Sequence, residues 1–321
     1  MAKKTNDWRI IFMGTSAYSV TILEALINNG YNIVSVYTRP DKKTGRNQEL
    51  EASAVKKFAK AKSLDVVSPE TLDDKTIEEI RQQRPDILIV VAYGKLLPKS
   101  LLDIPPYGSL NIHASLLPKY RGPSPIQNAL LKGDQETGVT VIQMNEKIDA
   151  GDILGQEKIA ITPNETLPEL SQKLAGVSAN LLLKILPVWF DKKITLQKQD
   201  ETKATFCEMI ERGDGRIIWS DEAESIYNRY RAFCYWPGIF TFWEQEEGSL
   251  KRLKLNRIKL LRSNPELKHR IGEVFQIGED IGVQTTSGVI IIEEIQVEGR
   301  PSMPAKAFIN GYPNFIGSLL K

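Results

Sequence analysis

Over residues 1–190 the chain alternates short apolar runs with stretches whose apolar residues recur at helical spacing. Arg9 to Met13 is an apolar run ending at Gly14, and Thr15 and Ser16 offer N-cap hydroxyls ahead of Val20, Ile22, Leu23, Leu26 and Ile27. This predicts a strand and then a helix, which Gly30 closes. The pattern goes on to predict a strand at Ile33 to Thr38, a helix at about Ala52 to Lys62, a short strand around Val66 and Val67, a helix at about Asp73 to Gln83 and a very apolar strand at Asp86 to Ala92. Strand and helix in strict alternation imply an α/β, Rossmann-like domain with a mostly parallel sheet covered on both faces. The sheet is expected to continue through Leu110 to Ser115, a helix at about Ser124 to Leu131, then Val139 to Met144 and Ile153 to Ile161, the last two as antiparallel neighbours. A long helix from about Leu167 to Phe190 is expected to pack on the sheet and finish the domain.

Beyond Phe190 the texture changes. Residues 191–215 are polar, with Gly213-Asp214-Gly215, and read as a linker between domains. A helix is expected at about Glu222 to Arg231, followed by short strands at Ile239 to Trp243, Leu253 to Leu261, Gly272 to Ile277, Ile281 to Thr285 and Val289 to Val297. Short strands with Gly-rich turns predict a small, OB-like β-barrel. The domain reading is therefore 1–190, a linker at 191–215, and 216–321.

Composition narrows the classes. The 321 residues are long for one compact unit, and 41% hydrophobic with 26% charged residues is the make-up of an ordinary globular protein. No run approaches the roughly 20 apolar residues that span a bilayer. Met1 to Trp8 leads at once into the first strand pattern, so the cytoplasm is the default location. A net charge of +2 leaves any polyanion to local basic patches. Cys207 and Cys234 have no metal-ligand spacing and are expected as free thiols; two distant cysteines and two distant histidines point away from a metal site.

The chemistry concentrates in one stretch. Asn111 and His113 stand two residues apart on a predicted strand, so both side chains point to one face, just before the loop Ser115-Leu116-Leu117-Pro118-Lys119-Tyr120-Arg121-Gly122. An amide and an imidazole converging there suit a carbonyl that becomes an oxyanion, whereas a histidine in an apolar strand can also be a hydrogen-bonded core residue. The other histidine, His269, lies far downstream in a charged segment. Asp149 and Asp152 both compete to orient the imidazole. Asp149, in a turn-forming Asp-Ala-Gly context, is the preferred partner, since Asp152 opens the next strand. A carboxylate beside the ring favours its protonated form. No Ser, Cys or Lys sits in a nucleophile setting, which leaves direct transfer as the simpler model.

Other loops are less specific. Gly14-Thr15-Ser16 has one of the three glycines of a dinucleotide fingerprint and lacks the Lys and Thr of a P-loop. The loop Thr38 to Asn47 carries four basic residues where an open α/β sheet places ligands; it reads equally as a solvated loop or a polyanion contact. Lys251 to Arg262 alternates basic and apolar residues, so a strand there would expose a basic ridge, diluted by Glu244, Glu246 and Glu247.

Taken together, Asn111-Ile112-His113, the Ser115 to Gly122 loop and Asp149 resemble the signature of folate-dependent formyltransferases. The likeness extends through Arg9 to Thr15, Val91-Ala92-Tyr93-Gly94 with Leu97-Pro98, Pro125-Ile126-Gln127, Glu136 to Thr140, Gly215 to Trp219, and Arg231-Ala232-Phe233 with Trp236-Pro237, and so covers nearly the whole chain. It implies an enzyme that transfers a formyl group from 10-formyltetrahydrofolate to the α-amino group of methionine on initiator methionyl-tRNA, for translation initiation; apart from the resemblance, a monomer is the expected state. It implies Asn111, His113 and Asp149 as catalytic residues. Val90, Val91, Ala92, Tyr93, Gly94, Leu97, Ser115, Leu116, Leu117, Pro118 and Asp149 would lie along the folate, and Lys42, Lys43, Arg46, Lys119, Arg121, Lys251, Arg252 and Lys254 along the tRNA. The family's basic run past Gly45-Arg46 is replaced here by Asn47-Gln48-Glu49-Leu50-Glu51-Ala52-Ser53, whose two acids would weaken phosphate contact. Two alternatives stay open: a formyltransferase acting on a small amine such as an amino sugar nucleotide or glycinamide ribonucleotide, and a tRNA-binding module with a decayed site.

Overall fold

The computed structural model of the chain describes residues 7–44, 48–245, 248–262 and 269–321. Its contacts divide it into two units, one formed by 1–125, 136–160 and 170–208, the other by 126–135, 161–169 and 209–321. The polar segment 191–215 is thus shared, its residues up to Glu208 packing in the first unit.

The first chain segments run β1 (Arg9–Gly14), α1 (Ala17–Asn28), β2 (Asn32–Tyr37), β3 (Lys42–Thr44), β4 (Glu49–Glu51), α2 (Ala54–Ala61), β5 (Val66–Val67), α3 (Asp74–Gln82), β6 (Ile87–Val91), α4 (Lys99–Leu102), β7 (Ser109–His113), α5 (Pro125–Leu131), β8 (Glu136–Gln143), β9 (Asp152–Ala160) and α6 (Leu167–Phe190). Seven strands form one sheet in the order β5-β2-β1-β6-β7-β8-β9. The pairs from β5 to β7 are parallel, and β8 and β9 close the edge antiparallel. The Rossmann-like reading of the alternation therefore holds.

Helix starts follow local chemistry: Ser53 caps α2 by accepting from Lys56 N at 3.0 Å, and Asp73 caps α3 by accepting from Thr76 N at 2.9 Å. β6 is buried along its whole length, as a strand covered on both faces must be. On one face Leu88 and Val90 join Ile11, Met13, Tyr93, Leu97 and Leu101 in a continuous apolar cluster. α6 is long and apolar enough to cross a membrane by length and composition, and half of that stretch is buried within the protein. The short hairpin β3–β4 and the single-turn α4 are additions to the predicted elements.

The second unit carries α7 (Ala223–Phe233), β10 (Phe240–Glu244), β11 (Leu250–Leu261), β12 (Val274–Ile277), β13 (Asp280–Gln284), β14 (Val289–Val297), β15 (Met303–Pro304) and α8 (Ala305–Gly311). Its antiparallel sheet has the order β10-β11-β14-β13-β12. The last residues complete it. Lys321 exchanges both backbone bonds with Phe242 of β10, while Gly317 N donates to Val274 O and Val274 N to Ser318 O on β12. One terminal segment thus serves both edge strands, which turns an open sheet into a small barrel. Inside, Trp243 makes edge contacts with Phe308, Tyr312 and Phe315.

Candidate active site

β7 supplies the site because its residues alternate. Leu110 and Ile112 are buried on one face, leaving Ser109, Asn111 and His113 to the other. Asn111 stands beside Val90 of β6 and Ile142 of β8, in the middle of the sheet. The chain then turns through Ser115 to Gly122, a loop fixed by the buried hydroxyl of Thr140. That hydroxyl donates to Ser115 O at 2.7 Å and accepts from Leu117 N at 3.0 Å.

Asp149 comes from the connection between β8 and β9. Its Oδ1 accepts from Asn111 Nδ2 at 3.1 Å, and its Oδ2 accepts from Gly122 N at 2.9 Å and faces His113 Nδ1 at 3.5 Å. The other ring nitrogen, His113 Nε2, lies 2.8 Å from the carbonyl of Tyr120. A carbonyl only accepts, so Nε2 carries the proton of that hydrogen bond, and Nδ1 is the nitrogen turned to the carboxylate. The His113 and Asp149 side chains are 7% and 14% exposed, which keeps this pairing out of the high dielectric of bulk water. Asp149 has φ 49° and Tyr120 φ 58°, left-handed conformations that a non-glycine residue keeps only when its surroundings hold it there. Asp152, the competing carboxylate, opens β9 opposite Gln143.

The three residues expected to do chemistry are thus joined through Asp149, which touches both of the others. Those expected along the folate divide. Ala92 (φ 44°) and Gly94 (φ 82°) present exposed backbone after β6, and Leu116 and Pro118 are partly exposed. Val90, Val91, Tyr93, Leu97, Ser115 and Leu117 are buried, and the Ser115 carbonyl and both main-chain groups of Leu117 are already bonded to Thr140 and Gln156. Burial pushes the Tyr93 phenol up to about 12, with the nearby Tyr37 adding to the rise, and its buried oxygen has no hydrogen-bond partner among the described residues. Exposed Leu96 and Ile148 lie on the two loops that carry Gly94 and Asp149. Along the same β7 face as Asn111, Ser109 opens into a cavity of about 490 Å³ with Leu102, Gln143, Met144 and Asn145 in its wall.

The expected tRNA contacts divide as well. Arg46 lies outside the described residues. Lys42 and Lys43 are exposed on β3, but Lys42 pairs in register with Glu51, which also holds Lys57 at 2.7 Å. Lys119 is exposed. Arg121 is a correction: it is 3% exposed, and its guanidinium is spent on Gln199 Oε1 (3.1 and 2.8 Å) and Glu201 (2.9 and 2.8 Å), leaving no face for a phosphate. The ridge on β11 is also shorter than its sequence suggests. Arg257 and Lys259 both pair with Glu293, and Arg262 with Glu224. Among the described residues no carboxylate pairs with Lys251, Arg252 or Lys254. Arg252 instead stacks 3.7 Å above the Phe240 ring.

Reasoning from the sequence missed the Tyr120 carbonyl, the Gly122 amide and Gln199. The first two are backbone groups, and Gln199 stands in a polar run with no periodicity to mark it.

Comparison with known proteins bears on this arrangement. Residues 8–186 match the family described as formyl transferase, and residues 209–313 match the formyl transferase C-terminal domain. The chain is 42% identical over 315 residues to methionyl-tRNA formyltransferase of Caldicellulosiruptor saccharolyticus, covering 97% of this chain and 99% of that one. It is 43% identical to methionyl-tRNA formyltransferase of Campylobacter curvus, covering 94% and 96%. Among solved structures it shares its fold with the N-formyltransferase of Helicobacter canadensis in complex with folinic acid and dTDP-3-aminofucose (TM-score 0.66, 19% identity, 89% of this chain and 98% of that one). HypX of Aquifex aeolicus in complex with tetrahydrofolic acid is similar too (TM-score 0.65, 17% identity, 96% of this chain), although this chain spans only 48% of its length.

Proposed function

The chain belongs to the formyl transferase family, and from that premise we propose that it transfers the formyl group of 10-formyltetrahydrofolate to the α-amino group of methionine on initiator methionyl-tRNA. The observation that carries this reading is the single carboxylate of Asp149 joined to both Asn111 and His113. The free amine attacks the formyl carbon, the carbon–nitrogen bond to the donor breaks, and the amine's proton passes to the departing nitrogen. Asn111 Nδ2 has two N–H groups and gives one to Asp149; the second serves the oxyanion. His113 is held at Nε2 by Tyr120, while the 3.5 Å contact at Nδ1 is loose enough to share with the oxyanion. Asp149 balances the imidazolium and, with an ordered water, helps move the proton.

The residues present fit the donor. A flat, polar ring system suits exposed main chain at Ala92 and Gly94 flanked by the apolar Leu96 and Ile148, with the Ser109 cavity beyond. When bound, the folate supplies the activated formyl group. Residues 1–190 would form the catalytic domain and 216–321 a tRNA-binding domain. Lys42, Lys43, Lys119, Lys251, Arg252 and Lys254 are the basic side chains proposed for the tRNA. The protein would work as a monomer in the cytoplasm.

The test is direct. The purified chain is incubated with 10-formyltetrahydrofolate and methionyl-tRNA, and formylmethionine is measured, with an amino sugar nucleotide as the competing acceptor. Asn111→Ala, His113→Ala and Asp149→Ala should each lower turnover by roughly 100-fold or more. Near-normal turnover in all three, or formylation of the sugar amine alone, would overturn the reading.

A further inference from the structure

The peptide groups that position the Asn111–His113–Asp149 cluster are themselves held by one stretch of chain, residues 197–207. Gln197 exchanges both backbone hydrogen bonds with Ile153, at 2.8 and 3.0 Å, where β9 leaves the Asp149 loop. Gln199 Nε2 donates to the carbonyls of Asp149 and Gly151, both at 2.8 Å. Its Oε1 accepts from Nε and Nη2 of Arg121, whose outer edge grips Glu201. Further along, Tyr120 N donates to Thr205 Oγ1, Arg121 N to Thr205 O and Cys207 N to Arg121 O, each at 2.8 Å. One segment therefore braces both the carbonyl that faces His113 and the loop that presents Asp149.

We propose that Gln199 and Arg121 are positioning residues for formyl transfer, with Gln199 setting the placement of Asp149 and Arg121 locking Gln199. The inference rests on the functional reading above. Two carbonyls converging on one point need two N–H groups from one atom, and the cation behind needs an acceptor; a primary amide meets both demands with no charge of its own. Asp149 sits at φ 49°, where the backbone drifts unless held, and the two bonds from Gln199 reach the carbonyls on either side of Ala150. Arg121 can be buried because its charge is matched. Glu201, 69% exposed, is held below the usual carboxylate range chiefly by its hydrogen bond from Arg121, and the Phe206 ring lies 6.0 Å from the guanidinium. This role accounts for an arginine in a basic loop that offers nothing to a phosphate.

The test uses the full chain as wild type, Gln199→Glu, Gln199→Met and Asp149→Asn. The measurements are kcat and KM for both substrates, melting temperature, and hydrogen exchange at the Gly122 amide, which reports the Gly122–Asp149 bond. Gln199→Glu keeps an oxygen for Arg121 and lacks both N–H groups. Both Gln199 variants should lose roughly 10- to 100-fold in kcat with KM little changed, as a misplaced catalytic group dictates, and Gly122 should exchange faster. Wild-type kcat and exchange in Gln199→Glu would overturn the proposal, as would a loss confined to Gln199→Met that follows its melting temperature. Normal turnover in Asp149→Asn would instead remove Asp149 from the catalytic reading on which the proposal rests, and exchange at Gly122 would still decide whether Gln199 places Asp149.

Discussion

Gly122 donates its backbone N–H to Asp149 Oδ2 at 2.9 Å, and it does so at φ 121°, in a conformation that L side chains rarely adopt. A Cβ there would stand 2.3 Å from the carbonyl oxygen of Cys207, a backbone atom tied into the same loop. Gly122→Ala must therefore shift the loop that carries the Asp149 contact. The expected outcome is a lower melting temperature and a kcat reduced by about 10-fold or more, read by thermal denaturation and the formyl-transfer assay. Wild-type kcat in a folded variant would show that this backbone contact is dispensable.

The basic ridge on β11 makes a sharper prediction than total charge would. Lys251 and Lys254 have no acidic partner among the described residues, whereas Lys259 is paired with Glu293. Lys251→Ala and Lys254→Ala should each weaken methionyl-tRNA binding and reduce the slope of log affinity against log salt by about 1, while Lys259→Ala should change it little. Binding titrations across a salt series measure this, and equal effects at all three positions would argue against the assignment.

Several carboxylates are held below their ordinary range, and Glu273 is one whose contribution to acid stability can be followed. Glu273 is lowered to about 2, first by the Arg270 backbone N–H, then by the Arg270 side chain and His269. A depressed carboxylate stabilises the fold above its unfolded value, near 4.5, and that contribution is lost as pH falls toward about 2. The wild-type melting temperature should fall more steeply than that of Glu273→Gln between those limits. Parallel curves for the two proteins would assign the acid sensitivity elsewhere.

Removal of the last four residues tests barrel closure. Without Ser318 to Lys321, β10 loses its backbone bonds to Lys321, and β12 loses the Val274 N bond to Ser318 O. The truncated chain should show a lower melting transition for the second unit and a greater tendency to self-associate through the bared edges. Calorimetry and sedimentation measure the two effects; an unchanged transition would mean that the barrel holds without its seam.

Much of the architecture was legible along the chain because it depends on neighbours. Alternating apolar runs and helical spacing placed the main strands and helices, and the two-residue step from Asn111 to His113 put both on one face of β7. The preference for Asp149 over Asp152 came from local turn chemistry, and Asp149 is the carboxylate that touches Asn111 and His113. The β3–β4 hairpin stayed hidden because each of its strands is three residues long, too short for a period to register.

What the sequence determined by itself is the set of elements and the chemical types available on each face, since both follow from periodicity and side-chain identity. Only the tertiary structure decided which distant groups meet. Arg121 and Gln199 are 78 positions apart, and nothing near either one announces that a basic loop residue will be buried against a polar stretch. Likewise, no local pattern tells residues 317–321 to close the barrel. Such pairings are set by the path of the backbone once the sheets have formed, because burying a charge or an edge is favourable only where the fold brings a matching partner to it.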